Sequence, residues 1–376
     1  MTHIRLAWFA AATLAFVLAA CTQTQVRTAE VPEFRVDPNW PKPFPEENGL
    51  QLIVGQVAGL DIDRRGNVWL LHRPASLHAD EWDAKANRPI THRCCKALPP
   101  VIELDADGRY LRGWGGPGAG YEWPKVEHGI FIDPDGNVWI GGNSPEDGQI
   151  LKFSPDGKFL AQIGRAGKSE GSNSRTQLGR PAHMTQDAVA GELYVADGYG
   201  NRRVIVFDAK TGAYKRHWGA YGGVPSDDKL PPYDPAKPLS RQFGNPVHCV
   251  RLSNDGKVYV CDRTNNRIQV FSPQGEYLHE LRVEVQTLAY GSVWDMVLSH
   301  DSEQRFLYVA DGVNGMIYIL RRSDGVQVGS FGRTGHMAGE FKWIHNMGID
   351  AQGNLYTSEV GFGRRAQKFV RVAGPQ

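Results

Sequence analysis

Four histidines recur at one place in a repeated pattern: His128, His183, His248 and His345. Each opens a short apolar run, and fourteen residues later a second run ends, at Gly142, Asp197, Asp262 and Glu359. Equivalent points of a repeat converge in space even when they are far apart in sequence. Neutral imidazoles converging from three directions suit zinc, which takes three protein nitrogens and leaves a fourth position open for chemistry. His128, His248 and His345 come from alternate repeats, so they approach one axis with near threefold symmetry. His183 is then expected beside the centre or against a substrate. The plain alternative is that a histidine at a consensus position is a hydrogen-bonded packing residue.

The elements that must position these side chains are short strands. In the stretch Asn245 to Gly275, Val247 to Leu252 reads as one strand, and Asn254-Asp255-Gly256 as a hairpin turn. Lys257 to Asp262 and Arg267 to Ser272 follow as two more, and Pro273-Gln274-Gly275 turns toward a fourth. Two further copies carry Ala58 and Asp295 in the histidine position, which makes six copies starting at 58, 128, 183, 248, 295 and 345. Units of four short strands with Asp-Gly turns signal blades set radially around a channel. A single unit cannot bury both faces of its small sheet, so the units stack as wedges. The expected fold is all-β, a six-bladed β-propeller over residues 54–370.

The rest of the chain frames that domain. Of 376 residues 41% are hydrophobic, and 43 Gly and 23 Pro suit a turn-rich all-β chain. A net charge of +1 leaves no electrostatic footprint for nucleic acid. Met1 to Ala20 reads as an export signal, and Leu18-Ala19-Ala20-Cys21 resembles the bacterial lipoprotein signal, with Cys21 bearing the lipid. The expected location is the periplasmic side of an envelope or an outer-membrane anchor, with the N-terminal lipid as the only membrane attachment. Residues 22–53 form a polar, Pro-rich tether and lead-in, able to add an outer strand to the last blade. Long insertions at 74–100, Gly164 to Arg180 and Gly219 to Arg241 are expected to shape a binding face. The first holds His78, His92 and the adjacent Cys94-Cys95, without zinc-finger spacing. In an oxidising compartment cystines are the default; Cys249 and Cys261 on adjacent strands can pair, while a vicinal bridge is the minority option.

The repeats resemble NHL repeats, and the whole propeller resembles the peptidyl-α-hydroxyglycine α-amidating lyase family. The match rests on GQVAGLDIDRRGNVWLLHR, EHGIFIDPDGNVW, VADGYGNRRVIVFD, PVHCVRLSNDGKVYVCDRTNNRIQVF and WIHNMGIDAQGNLY, in the family's order. The resemblance implies zinc on His128, His248 and His345, a catalytic Tyr199, and active-site arginines Arg263 and Arg73. It also implies calcium bound by the backbone carbonyls of Leu60 and Ile130 and by an acid. Two departures stand out: Trp343 takes the place of a methionine that contacts the site, and Asn346 takes the place of the calcium-binding aspartate.

The implied chemistry is coherent. A carbinolamide breaks down when its hydroxyl loses a proton and its C–N bond cleaves. Zinc supplies Lewis acidity to such an oxygen, and cationic neighbours favour the phenolate of a tyrosine. An arginine fork holds a carboxylate through two parallel hydrogen bonds. The expected activity is therefore a zinc-dependent carbon–nitrogen lyase acting on a small-molecule or peptide substrate, with His183 and Trp343 as substrate contacts. The rival is a non-catalytic NHL propeller that binds a peptide or envelope partner. A calcium-dependent lactonase-type propeller would need an acid-and-amide cluster that the sequence does not display.

Overall fold

The computed structural model describes residues 31–78, 81 and 94–373. The expected export signal, Cys21 and His92 lie outside the described residues. The described chain is all-β, and its strands form seven sheets: six of four strands and one of three. In the four-stranded sheets all neighbouring strands run antiparallel, the fourth being typical. Its second and third strands, Val258–Asp262 and Arg267–Phe271, are buried along their whole length, whereas its outer strand, Tyr277–Arg282, is mostly half-buried. Burial on both faces explains why Val258–Asp262 reads as a nearly continuous apolar run, while in Arg267–Phe271 the buried Arg267 and Gln269 are held by hydrogen bonds.

The sheets bury their faces against one another as wedges. Cys249, Tyr259, Ile268 and Val270 of the fourth sheet pack with Met296, Leu307 and Val309 of the fifth, and comparable clusters fill the other gaps. The innermost strands touch in order: Gln56–Ile62, Glu127–Ile132, His183–Asp187, Val247–Leu252, Asp295–Leu298 and Ile344–Ile349, with the last meeting the first. The lead-in supplies the outermost strand of the last sheet, Glu33–Asp37 pairing antiparallel with Ala366–Ala373. Both ends of the fold therefore share one sheet, and an otherwise open edge is covered.

The seventh sheet is of another kind. It joins Glu46–Glu47, Leu50–Ile53 and Cys95–Ala97, the last two running parallel, and so ties the end of the first insertion to the lead-in. The cysteines that sequence left open form two bridges. Cys249 and Cys261 face each other across two strands and are bonded, with Cα atoms 4.8 Å apart, and Cys94 is bonded to its neighbour Cys95.

Buried ion pairs anchor the backbone of the two other insertions. Asp197 and Arg203 are joined at 2.9 Å and Asp262 and Arg267 at 2.7 Å, all fully buried. Arg203 donates to the carbonyls of Ser172 and Gln177, while Asp197 accepts the amide of Gly179. Arg267 likewise donates to the carbonyls of Ser240 and Gln242, while Asp262 accepts the amide of Gly244. The Asp-x-x-x-Asn and Asp-x-x-Asn parts of the repeats complete these pairs, since Asn201 and Asn265 donate to the same carboxylates. The two insertions also grip each other, Ser172 to Asp227 and Asn173 to the carbonyl of Pro225.

Candidate metal centre

Three of the four histidines converge. The ring centroids of His128, His248 and His345 stand 5.2, 4.7 and 4.8 Å apart, and one ligand atom from each lies within 4.8 Å of the others. Each comes from a strand that carries one extra residue against its neighbour, an irregularity in register that falls at or beside the histidine. Such a bulge bends the strand and re-aims a side chain. The strand of His183 pairs without a shift, His183 opposite Ala196, and the strand of Asp295 is equally regular. Alternate strands are therefore bulged at a histidine, and these three histidines meet.

Backbone partners set the chemistry of each ring. Nδ1 of His128 faces the carbonyl of Ala182, that of His248 the carbonyl of Trp294, and that of His345 the carbonyl of Ala58. A carbonyl only accepts, so each Nδ1 carries the proton and each Nε2 keeps its lone pair free. Burial, with the charge of neighbouring arginines and of the other rings, depresses all three; His345 falls to about 3, and the other two lie well below the usual range. Three buried, uncharged imidazoles with fixed tautomers are the donor set that zinc takes.

Tyr199 closes the group. Its hydroxyl lies 3.0 Å from Nε2 of His128 and 3.1 Å from Nε2 of His248, and Arg263 Nη1 donates to it at 3.2 Å. Gly198 makes this approach possible: a Cβ there would lie 2.0 Å from the carbonyl oxygen of Val247. Arg263 stacks over Trp294 at 4.3 Å, and its buried Nε has no partner, leaving a donor to spare. Arg73 stands on the other side, giving Nε to the carbonyl of Glu127 at 2.6 Å and Nη1 to Gln56 at 2.9 Å.

Sequence reasoning missed several neighbours. Arg180 brings a third guanidinium to 5.6 Å from the Tyr199 ring, anchored on the carbonyl of Asn143. Trp294 and Tyr290, also missed, flank the Trp343 that the sequence did single out and form with it an aromatic wall with centroid spacings of 5.4 and 5.2 Å, and Trp294 abuts His345 at 5.8 Å. Trp294 directly precedes the inner position of the fifth repeat, a place equivalent to Ala182, and that was the available signal. Trp343 meets the centre through Trp294, not through His345 itself. His72 is bound to backbone on both ring nitrogens, taking the amide of Gly55 and donating to Leu98 and Pro99, so it serves the fold.

His183 is not brought to the triad. Its Nδ1 faces the carbonyl of Val250 at 3.0 Å, and its charged neighbours are Arg251 and Asp295. The regular register of its strand is the physical reason. The position that the resemblance gives to a calcium-binding acid holds an amide instead. Asn346, in the place of the acid, is spent at both ends, its oxygen on His345 Nδ1 and its nitrogen on Asp295. The nearby cationic position belongs to the guanidinium of Arg251. A second grouping, Cys249, Cys261 and Asp295, offers no thiolate because the two sulfurs are bonded.

Fold and centre together define an NHL-repeat propeller built around buried histidines. More narrowly, the chain resembles the peptidyl-α-hydroxyglycine α-amidating lyase family. The NHL repeat family matches residues 247–271. Peptidyl-alpha-hydroxyglycine alpha-amidating lyase 2 of Drosophila melanogaster is 26% identical over 346 residues, 89% of this chain and 74% of that one. Peptidyl-glycine alpha-amidating monooxygenase B of Xenopus laevis is 28% identical over 252 residues, 65% of this chain but only 25% of the frog protein. Among solved structures, virginiamycin B lyase from Staphylococcus aureus aligns with a TM-score of 0.50 at 16% identity, over 90% of this chain and 89% of that one, a likeness of fold alone.

Proposed function

We propose that this protein is a zinc-dependent lyase of the amidating type, cleaving the C–N bond of a carbinolamide. The observation that carries the reading is the triad of Nε2 lone pairs with every Nδ1 tied to backbone. His128, His248 and His345 would hold the ion, which when bound supplies Lewis acidity. Tyr199, as the phenolate that the cationic neighbours favour, lies within hydrogen-bond reach of two of these imidazoles and takes the proton of the substrate hydroxyl on Oη. The carbon–oxygen bond becomes a carbonyl, the C–N electron pair leaves on nitrogen, and the same proton returns to that nitrogen. The products are an amide and an aldehyde. Arg263, with its spare Nε, and Arg73 hold a substrate carboxylate and fix the carbinol carbon against Tyr199. The aromatic wall of Trp294 and Trp343 excludes water from one side.

Six blades form this propeller in the same reading, because six innermost strands close a cycle while the three-stranded sheet has no member among them. Export as a lipid-anchored envelope protein, by Cys21, is supported by the Cys249–Cys261 bridge, since such bonds persist in oxidising compartments. Loss of lipid labelling in Cys21→Ser tests that part.

Metal content tests the function. Zinc close to one per chain in the purified protein, lost in a His248→Ala variant that keeps its circular dichroism, supports the lyase and licenses a carbinolamide screen. Wild type without zinc leaves the other class, a propeller that binds a peptide or envelope partner.

A further inference from the structure

Beyond the triad, the inner strands carry a second polar group centred on one guanidinium. Arg251 Nη2 donates to Asp295 Oδ2 at 2.7 Å and to the carbonyl of Met347 at 2.9 Å. The same Asp295 oxygen accepts Asn346 Nδ2 at 3.1 Å and the amide of Met347 at 2.9 Å, and Oδ1 accepts the amide of Met296 at 2.8 Å. Asn346 Oδ1 stands 3.0 Å from Nδ1 of His345. Asp61, half-buried and held by the amides of Ile62 and Ile132, lies within the electrostatic reach of Arg251, which offsets part of the cost of desolvating its carboxylate. His183 flanks the group.

We infer that Arg251 is the structural cation of this channel, filling the role of a second metal ion, and that through Asp295 and Asn346 it positions His345. The fully buried Asp295, with the half-buried Asp61 on a different strand, needs a counter-charge, because an isolated buried ion costs far more than a paired one. An arginine supplies that charge at every ordinary pH and cannot dissociate. A divalent ion at the same place would meet a fixed positive charge and find the oxygens taken: Asp295 by four donors, Asn346 by His345. The relay then reaches the triad, since Asn346 is one of two acceptors that fix the His345 ring, and such outer partners orient metal-binding histidines. Arg251 and Asn346 are positioning residues, and this second half of the inference rests on the metal reading of the triad.

The test uses the mature protein with intact disulfides. Thermal unfolding in millimolar calcium and in a calcium chelator is expected to coincide for wild type. Arg251→Met is expected to melt lower and to regain stability on adding calcium, because Asp61 and Asp295 lose their partner. A wild-type melting temperature that rises with calcium would overturn the structural-cation assignment, whether or not the variant folds. For the relay, cobalt is the probe: Asn346→Ala is expected to weaken its binding about 10–100-fold and to shift its visible spectrum, with Arg251→Lys closer to wild type than Arg251→Met. Folded Asn346→Ala with unchanged cobalt affinity and spectrum would overturn the positioning role. Wild type that binds neither cobalt nor zinc overturns the metal reading and the relay with it, while the calcium comparison still decides the cation.

Discussion

His183 and His248 occupy the same place in successive repeats, and both tie Nδ1 to a carbonyl of the next sheet. They nevertheless end in different company. His248 meets two other imidazoles and Tyr199, whereas His183 joins Arg251 and Asp295. The difference is one residue of register: the strand of His248 is bulged there, and the strand of His183 is not. A repeat position sets which strand a side chain belongs to and how near the axis it starts. The bulge decides which of two polar groups it enters.

The most severe way to break the comparison is to delete each ring in turn. His248→Ala is expected to lose its zinc altogether, and His183→Ala to keep it near one per chain, by elemental analysis of folded protein. Zinc lost equally from both would make the bulge irrelevant. Next in size is Tyr199→Phe, which leaves the triad intact and removes only the oxygen that moves the proton. It should retain zinc and lose about 100- to 10,000-fold in kcat on a carbinolamide, the usual share of a general acid–base group. A Tyr199→Phe enzyme with wild-type kcat would return the base to another residue.

The anchors of the insertions should matter to stability more than to metal. Asp262→Ala takes the 2.7 Å partner from the fully buried Arg267, leaving it the longer pair with Glu280 at 3.4 Å, and frees the amide of Gly244. Breaking one partner of such a pair costs about 3–5 kcal/mol, read as a lower urea midpoint at unchanged slope. The contrast with His248→Ala is the point, since that variant should lose metal while keeping its fold. If Asp262→Ala unfolds no more easily than wild type, the insertions are not held by this pair.

How much of this was legible in sequence follows the same division. The fourteen-residue step from each histidine to the end of the next strand is a property of hairpin length, and hairpin length survives translation into sequence. The strands, their order and the three histidines that converge could be read from it. The bulges could not, because an extra residue on one strand is absorbed by the turn after it: His183 to Asp197 spans as many positions as His248 to Asp262. Trp294 and Arg180 were hidden for another reason, standing outside the consensus position on segments whose direction only the folded loops define. Asn346 shows in sequence only as a departure from the calcium-binding aspartate of the resemblance, while its amide serves His345 and Asp295 at once, beside Arg251 from a different strand.

The gentlest test titrates the comparison rather than cutting it. Burial holds His183 near 3 in the folded protein, helped by Arg251 and opposed by Asp295, while in the unfolded chain it returns to its ordinary value of about 6.5. Between those two values the unfolded chain carries a proton that the native state does not. Stability from His183 is therefore complete above about pH 6.5 and is lost as pH falls, by at most about 1.4 kcal/mol per unit. Asp61, raised to about 6 chiefly by burial, and Asp311, raised likewise, act in the opposite sense below that pH in any variant and cancel in a difference. His183→Asn keeps an amide donor for the carbonyl of Val250 and removes the titration. In metal-free protein, unfolding free energy measured at pH 7, 6 and 5 should fall more steeply for wild type than for His183→Asn. Parallel curves would mean that the native ring takes its proton as readily as the unfolded one, which a ring sealed beside Arg251 should not do.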